Sequence, residues 1–313
     1  MNEFIMQMKP HFGEEEANAL NQYMSEGGFL TEFKKTAIFE DMIKDFTGAR
    51  HCIATNSGTI SLTMAALALD LKPGDEVIVP NYTMIATPNS MKLLGVVPVF
   101  VDVEPETLCL DIEKMHLAIN ERTKAIILVS ANGRYPKTNI LEYNKIALKN
   151  NLYLIEDAAQ SLGSFYPNGK HIGTIGKIGC FSFSTPKIIS TGQGGALVTD
   201  DENLANKIRR LKDFGRGKGG TDLHETIGFN FKFTDLQAVV GIEQMKKLPS
   251  RLLRKKRIWQ LFQEQLASEA NIRLFEHDLD HTTPWFIDTI VENRTGLVKF
   301  LLENEIGTRV MYP

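Results

Sequence analysis

Cysteine is scarce in this chain: three residues in 313 (Cys52, Cys109 and Cys180), widely spaced and without a C-x-x-C pair. An odd, scattered set excludes a disulfide framework and a paired-cysteine zinc site, and fits a reducing compartment. An excess of charge of one sign is also missing. Lysine and arginine number 35 against 38 aspartates and glutamates, a formal net charge of -3. Nothing in that balance suits nucleic acid or an anionic membrane surface. No run approaches the ~18 consecutive apolar residues of a membrane span. The opening MNEFIMQMKPHFGEEE has no basic region leading into an apolar stretch, so no secretory signal is expected. Internal repeats and low-complexity segments are absent too. What is present is an ordinary composition, 43% hydrophobic and 23% charged. The expectation is a soluble cytoplasmic protein, long enough for one large core or for one large domain plus a smaller one.

Short apolar stretches read as strands at His51–Thr55, Glu76–Val79, Val97–Val103, Ala125–Val129, Leu152–Ile155, Cys180–Phe183 and Ala196–Thr199. Helical patterns separate most of them. This alternation predicts βαβ units and a mainly parallel sheet covered on both faces, the α/β class. Two helices are predicted ahead of it, over Glu14–Met24 and Thr36–Phe46. Beyond Thr234 the texture changes to long helices, Asp235–Leu248 and Ser250–Leu266, with Pro249 between them. A domain boundary is therefore placed near Thr234, with residues 1–234 as the large domain and 235–313 as the smaller one. The second long helix carries Arg251, Arg254, Lys255, Lys256 and Arg257. Such a run is usually a solvated face, and an anion site is the alternative reading.

Ligands of open parallel sheets sit at the carboxyl ends of the strands. Two nucleotide motifs nearly match and fail. Gly215-x-Gly217-x-x-Gly220 follows a helix where a dinucleotide fingerprint needs a strand, and reads as a mobile loop. Gly176-Lys177 lacks the earlier glycine of a P-loop and is followed by Ile178.

Three features survive. Asn56-Ser57-Gly58-Thr59 follows a strand and opens a helix, so its backbone N–H groups make a phosphate site, an N-cap, or both. Asp157 ends a buried strand, where an acid needs a cation or a donor, or serves as a structural cap of the next turn. Lys187 lies just past another strand, where it is either a solvated lysine or one whose pKa desolvation lowers, suiting its amine to imine chemistry. An anion cradle, an acid and an amine at strand ends of one sheet are the parts pyridoxal phosphate asks for.

The same segments resemble the DegT/DnrJ/EryC1/StrS sugar aminotransferases, which are pyridoxal-phosphate enzymes of fold type I (aspartate aminotransferase-like). The resemblance covers nearly the whole chain. It is carried by Gly27–Glu40 (GGFLTEFKKTAIFE), Asn56–Leu62 (NSGTISL), Gly74–Thr87 (GDEVIVPNYTMIAT), Glu156–Gly163 (EDAAQSLG), Phe181–Gly195 and Gly228–Gly241 (GFNFKFTDLQAVVG). It implies a large cofactor-binding domain and a smaller C-terminal α/β domain. Lys187 would carry pyridoxal 5'-phosphate and shuttle a proton, Asp157 would pair with the pyridine nitrogen, and Gln160 would lie near the ring hydroxyl. Gly58, Thr59 and Ser182 would hold the phosphate. Asn230 would reach the phosphate of the neighbouring subunit, because such enzymes are homodimers with shared active sites. Phe29, Arg134 and Arg309 are the substrate candidates.

Lysine rather than histidine at 187 favours transamination over dehydration within this family. The implied reaction moves an amino group from glutamate to a nucleotide-linked 4-keto-6-deoxyhexose, a perosamine-type synthesis. A 3-keto sugar aminotransferase and a non-catalytic, cofactor-binding relative are the alternatives. The chain also departs from its relatives. Met84 stands where many stack an aromatic residue on the ring, though a thioether can lie over a ring face. Ala131-Asn132-Gly133-Arg134 replaces a frequent His-Leu-Tyr-Gly, and Gln193 a common Glu. Relatives continue well past Thr308-Arg309-x-x-Tyr312-Pro313, so the smaller domain is expected to be incomplete.

Overall fold

Two helices, α1 (Glu14–Ser25) and α2 (Lys34–Thr47), precede the first strand in the computed structural model, which describes residues 4–217 and 222–312. The β/α run follows as β1 (His51–Thr55), α3 (Gly58–Ala68), β2 (Glu76–Pro80), α4 (Ala86–Lys92) and β3 (Val97–Val101). It continues through α5 (Ile112–Leu117), β4 (Thr123–Val129), α6 (Ile140–Lys149) and β5 (Tyr153–Asp157). Strands β6 (Ile178–Ser182) and β7 (Gly195–Thr199) complete the sheet, and α7 (Glu202–Lys212) leaves it. The glycine-rich loop read as mobile lies partly outside the described residues, and Pro313 lies outside them.

The seven strands lie in the order β1-β7-β6-β5-β4-β2-β3. Strand β7 is antiparallel to β1 and to β6, and the remaining neighbours are parallel. The expected mainly parallel sheet is therefore present. Alternate side chains of each strand serve different faces. Ile78, Ile126, Leu128 and Leu154 join the core under α2 and α6, while Val77, Val79, Ala125 and Ile127 join the core under α3, α4 and α7. Burial on both faces explains why these strands are continuous apolar runs.

The sequence reading broke one long helix in two. The structure shows a single α8, Asp235–Leu266, with Pro249 inside it. A proline removes one backbone hydrogen bond and crowds the preceding turn, and tertiary contacts on both halves offset that cost. Ala238, Met245 and Leu248 are core on the first half. On the second half, Trp259 donates its indole N–H to the Phe275 carbonyl at 3.3 Å, and Lys255 its ammonium to the Trp285 carbonyl at 2.6 Å. The proposed division at Thr234 thus falls at the start of a helix whose first half belongs to the large unit's core. Beyond it come an antiparallel ribbon, β8 (Ile272–Leu274) with β9 (Thr289–Val291), and α9 (Arg294–Glu303).

Asp235 ties the amino-terminal segment to α8. Its solvent-free carboxylate accepts hydrogen bonds from Tyr23 Oη, the N–H groups of Phe33, Lys35 and Thr36, and Thr36 Oγ1, at 2.7–3.0 Å. These bonds outweigh desolvation and hold its pKa below the ordinary value. Asp235→Ala orphans several buried donors, so a loss of about 3 kcal/mol is expected in denaturant unfolding, with an unchanged slope.

Candidate active site

Strand register builds one end of the site. Thr55 of β1 pairs with Gly195 of β7, and Gly195 pairs with Ser182 of β6, so the turn after β1 lies beside Ser182. A Cβ on Gly58 would stand 2.7 Å from the Ser182 Cβ, which is why only glycine fits this approach. Ser57 Oγ accepts the Ile60 N–H at 3.2 Å and caps α3. The cap leaves the N–H groups of Gly58 and Thr59 with no acceptor among the described residues. Ser57 caps the helix, and its neighbours present free donors at the helix N-terminus.

Asp157 ends β5, between Val129 of β4 and Cys180 of β6. The residue is 6% exposed. It accepts from Thr87 Oγ1 at 2.7 Å and from the Ala159 N–H at 3.2 Å. Thr87 Oγ1 is in turn 2.8 Å from Thr83 Oγ1. Burial pushes the Asp157 carboxyl up, against the lowering effect of Thr87, Ala159 and the positive charge of Lys187. Among the described residues no cation hydrogen-bonds this acid.

Lys187 follows the end of β6 in a turn closed by its own N–H to the Ser184 carbonyl at 3.0 Å. Its amine stands 3.9 Å from the centre of the Trp285 ring. Burial brings its pKa down to about 8, opposed by Asp157 and assisted by Arg309. The amine is therefore within reach of its neutral form near physiological pH. Trp285 is fixed by its indole N–H to the Pro186 carbonyl at 2.7 Å and its backbone N–H to the Asn132 carbonyl at 3.2 Å. Asn132, at a left-handed φ of 56°, clasps the next residue: its side chain donates to the Phe286 carbonyl at 2.8 Å and accepts the Phe286 N–H.

The other candidates divide. Gln160 accepts the Asn132 N–H at 2.6 Å and donates to Tyr312 Oη at 3.0 Å, with the Tyr312 ring 5.0 Å from Tyr82. Met84 is exposed in the loop between β2 and α4, and its carbonyl accepts the Thr87 N–H at 2.9 Å. Arg309 is exposed and close enough to Lys187 to lower its pKa. Phe29 and Asn230 are exposed away from these contacts, Phe29 with its ring 5.4 Å from Phe33. Gly176-Lys177 lies at the opposite, amino-terminal end of β6, where Lys177 pairs with Asp201 at 2.7 Å.

Arg134 is a correction. It is 3% exposed, and its guanidinium grips both carboxylate oxygens of Asp288 at 2.9 and 2.8 Å. Its Nε donates to the Thr107 carbonyl at 2.9 Å, and the group lies 4.9 Å from the centre of the Phe275 ring. A buried charge needs such partners, and they occupy the donors a substrate would use. Arg134→Ala is expected to destabilise the fold by about 3–5 kcal/mol by leaving Asp288 unpaired. Thermal and denaturant unfolding check this. A variant of unchanged stability with weakened substrate binding would restore the substrate role.

Thr87, Trp285 and Tyr312 were not assigned from sequence. Thr87 lies in the polar stretch after β2, where a strand-end ligand position was foreseeable. Trp285 is one of only two tryptophans, placed after Pro284 in a polar segment, a weak signal at best.

These residues fit pyridoxal 5'-phosphate. A buried acid without a cation matches a protonated ring nitrogen, the free amides of Gly58 and Thr59 beside Ser182 match a phosphate, and the Lys187 amine is available to an aldehyde.

Comparison with known proteins agrees. The model of the DegT/DnrJ/EryC1/StrS aminotransferase family matches residues 10–313. Over 248 residues the chain is 39% identical to the GDP-perosamine synthase of Caulobacter vibrioides, an alignment covering 79% of this chain and 64% of that protein. The matched region thus spans just under two thirds of that relative. The fold superposes on NtdA of Bacillus subtilis with bound cofactor PMP at a TM-score of 0.87 and 31% identity, over 96% of this chain and 69% of that one. A DegT DnrJ EryC1 StrS aminotransferase from Brucella abortus gives 0.89 and 29%, over 96% and 81%.

Proposed function

This chain belongs to the DegT/DnrJ/EryC1/StrS aminotransferase family, whose cofactor is pyridoxal 5'-phosphate, and from that premise we propose that it aminates a nucleotide-linked 4-keto-6-deoxyhexose with glutamate as donor. The observation that carries this reading is the Lys187 amine, 3.9 Å from the centre of the Trp285 ring, with its pKa brought down to about 8 by burial against the charge of Asp157. A lysine can return a proton to the carbon that receives the amino group. The GDP-perosamine synthase relative supports the choice of a 4-keto sugar.

Bound here, the cofactor supplies an electron-withdrawing ring that makes the carbon next to an amino nitrogen acidic. The protein supplies the rest. Asp157, oriented by Thr87, keeps a positive charge on the ring nitrogen. The Gly58 and Thr59 amides with Ser182 anchor the phosphate. Lys187 Nζ takes and gives the proton, and Trp285 screens that amine from water on one side. Gln160, clamped by Asn132 and Tyr312, would lie near the ring hydroxyl.

The amino form of the cofactor-loaded protein should convert a nucleotide-linked 4-keto-6-deoxyhexose to its 4-amino product, detected by mass spectrometry, and glutamate should regenerate that form. No amination of any keto sugar in a panel would overturn the reading, and a 3-amino product would move it to the 3-keto alternative.

The homodimer is part of the proposal. Asn230 is exposed and lies between the exposed apolar residues Ile227 and Phe229 and the half-buried Phe231, as a residue reaching a partner's site would. Lys187→Ala and Asn230→Ala should each be impaired alone, and mixed subunits should regain activity through the hybrid site left with both side chains. No recovery on mixing would count against shared sites.

A further inference from the structure

A second cavity, of about 740 Å³, adjoins the Lys187 turn between the amino-terminal segment and α8. Lys187 and Trp285 form part of its wall, whereas Asp157, Ser182, Gly58 and Thr59 do not. From α8, Arg251, Arg254 and Lys255 line it, one helix face at i, i+3 and i+4, and Lys9 lines it from the amino-terminal segment. No Asp or Glu among the described residues does so.

The hydrogen-bond partners of Arg251 and Lys255 orient them without neutralising them. Arg251 donates to the carbonyls of Ile188 and His11 at 3.0 and 2.8 Å and to the Gln244 side chain. Lys255 donates to the Trp285 carbonyl, and burial lowers its pKa. Arg254 is exposed and has no ion pair among the described residues. Lys247, also on the wall, is by contrast neutralised by Glu15 and Glu16 at 2.9 and 2.8 Å. The solvated-face reading of this basic run holds for Arg257, which pairs with exposed Glu264 at 3.0 Å, and fails for Arg251 and Lys255. Like charges gathered on a concave, partly desolvated wall focus a positive potential that an anion relieves.

We propose that this cavity is a second anion site, taking a diphosphate group through Arg251, Arg254 and Lys255. Guanidinium groups match phosphate oxygens in paired hydrogen bonds, and the volume exceeds what a single phosphate would fill. Inorganic pyrophosphate and a nucleoside diphosphate share this chemistry. The site does not depend on the sugar proposed above.

Calorimetric titration of the cofactor-loaded chain with sodium pyrophosphate, at fixed ionic strength, tests it with the cofactor's own phosphate site filled. One saturable site is expected, weakened about tenfold or more in Arg254→Glu. Affinity in Arg257→Glu should stay within about twofold, since that charge lies off the cavity wall and is screened. Both side chains are exposed, so neither substitution disturbs the core. A missing saturable signal, an unchanged affinity in Arg254→Glu, or equal weakening in both variants overturns the site. Repeating the titration with GDP separates the sources: tighter binding than pyrophosphate assigns the site to nucleoside-bearing molecules, and equal or weaker binding assigns it to the free anion.

Discussion

Lys187→Ala is expected to lower amino transfer by about ten-thousand-fold, the upper range for loss of a positioned proton-transfer group, and to abolish covalent capture of the cofactor. Borohydride treatment followed by peptide mass analysis reads this directly. Cofactor mass should appear on the Lys187 peptide of the native chain and be absent from the variant. Retention of the reduced adduct in Lys187→Ala would remove Lys187 from its role. A pH series adds a second readout. In the cofactor-free chain, reductive alkylation of Lys187 should rise with a midpoint at about 8, while ordinary lysines follow at about 10.4. The direction for stability is opposite to that of a salt-bridged lysine, because the folded value lies below the unfolded one. Above about 10.4 the amine is neutral in both states. Below about 8 it is charged in both, and its burial then costs stability. Stability contributed by this group should therefore rise with pH between those values. Lys187→Met, which removes the buried charge, should unfold at a higher temperature than the native chain at pH 7.

The second large effect is expected at Asp157. Asp157→Asn keeps the shape and can still accept the Thr87 hydroxyl, but it cannot hold a positive charge on the ring nitrogen. A fall of about 10²–10³ in rate is expected, typical for loss of one electrostatic stabiliser, together with weaker cofactor retention on dialysis. The substitution also removes the charge that holds the Lys187 pKa up. The alkylation midpoint of Lys187 should therefore move below about 8. A merely structural Asp157 would lower stability and leave that midpoint in place. Thr87→Val should produce a smaller fall in rate in the same direction, since it removes one donor from a carboxylate that keeps its charge.

Much of the fold was legible because its signals are local. Strands buried on both faces must be apolar throughout, and the turns between strands and helices need glycine, proline or a capping side chain. Those constraints mark β1 through β7 within a residue or two and place Ser57, Asp157 and Lys187 at strand ends. Pro249 misled for the same reason: its local preference argues for a break, whereas the helix is held by contacts made far along the chain.

The sequence by itself determined the α/β class, the family, and the amine, acid and anion cradle that a pyridoxal phosphate site requires, because each is written in a short contiguous motif. Only the tertiary structure decided what surrounds them. It placed Thr87 on Asp157 and Trp285 under Lys187, and it paired Arg134 with Asp288. It also turned three residues of a basic helix run, Arg251, Arg254 and Lys255, toward a cavity beside Lys187. These outcomes depend on which residues, 70 to 154 positions apart in the first and third cases, are brought within hydrogen-bond reach. Burial, and hence the charge state of Lys187 and Asp157, follows from that assembly and from no single segment.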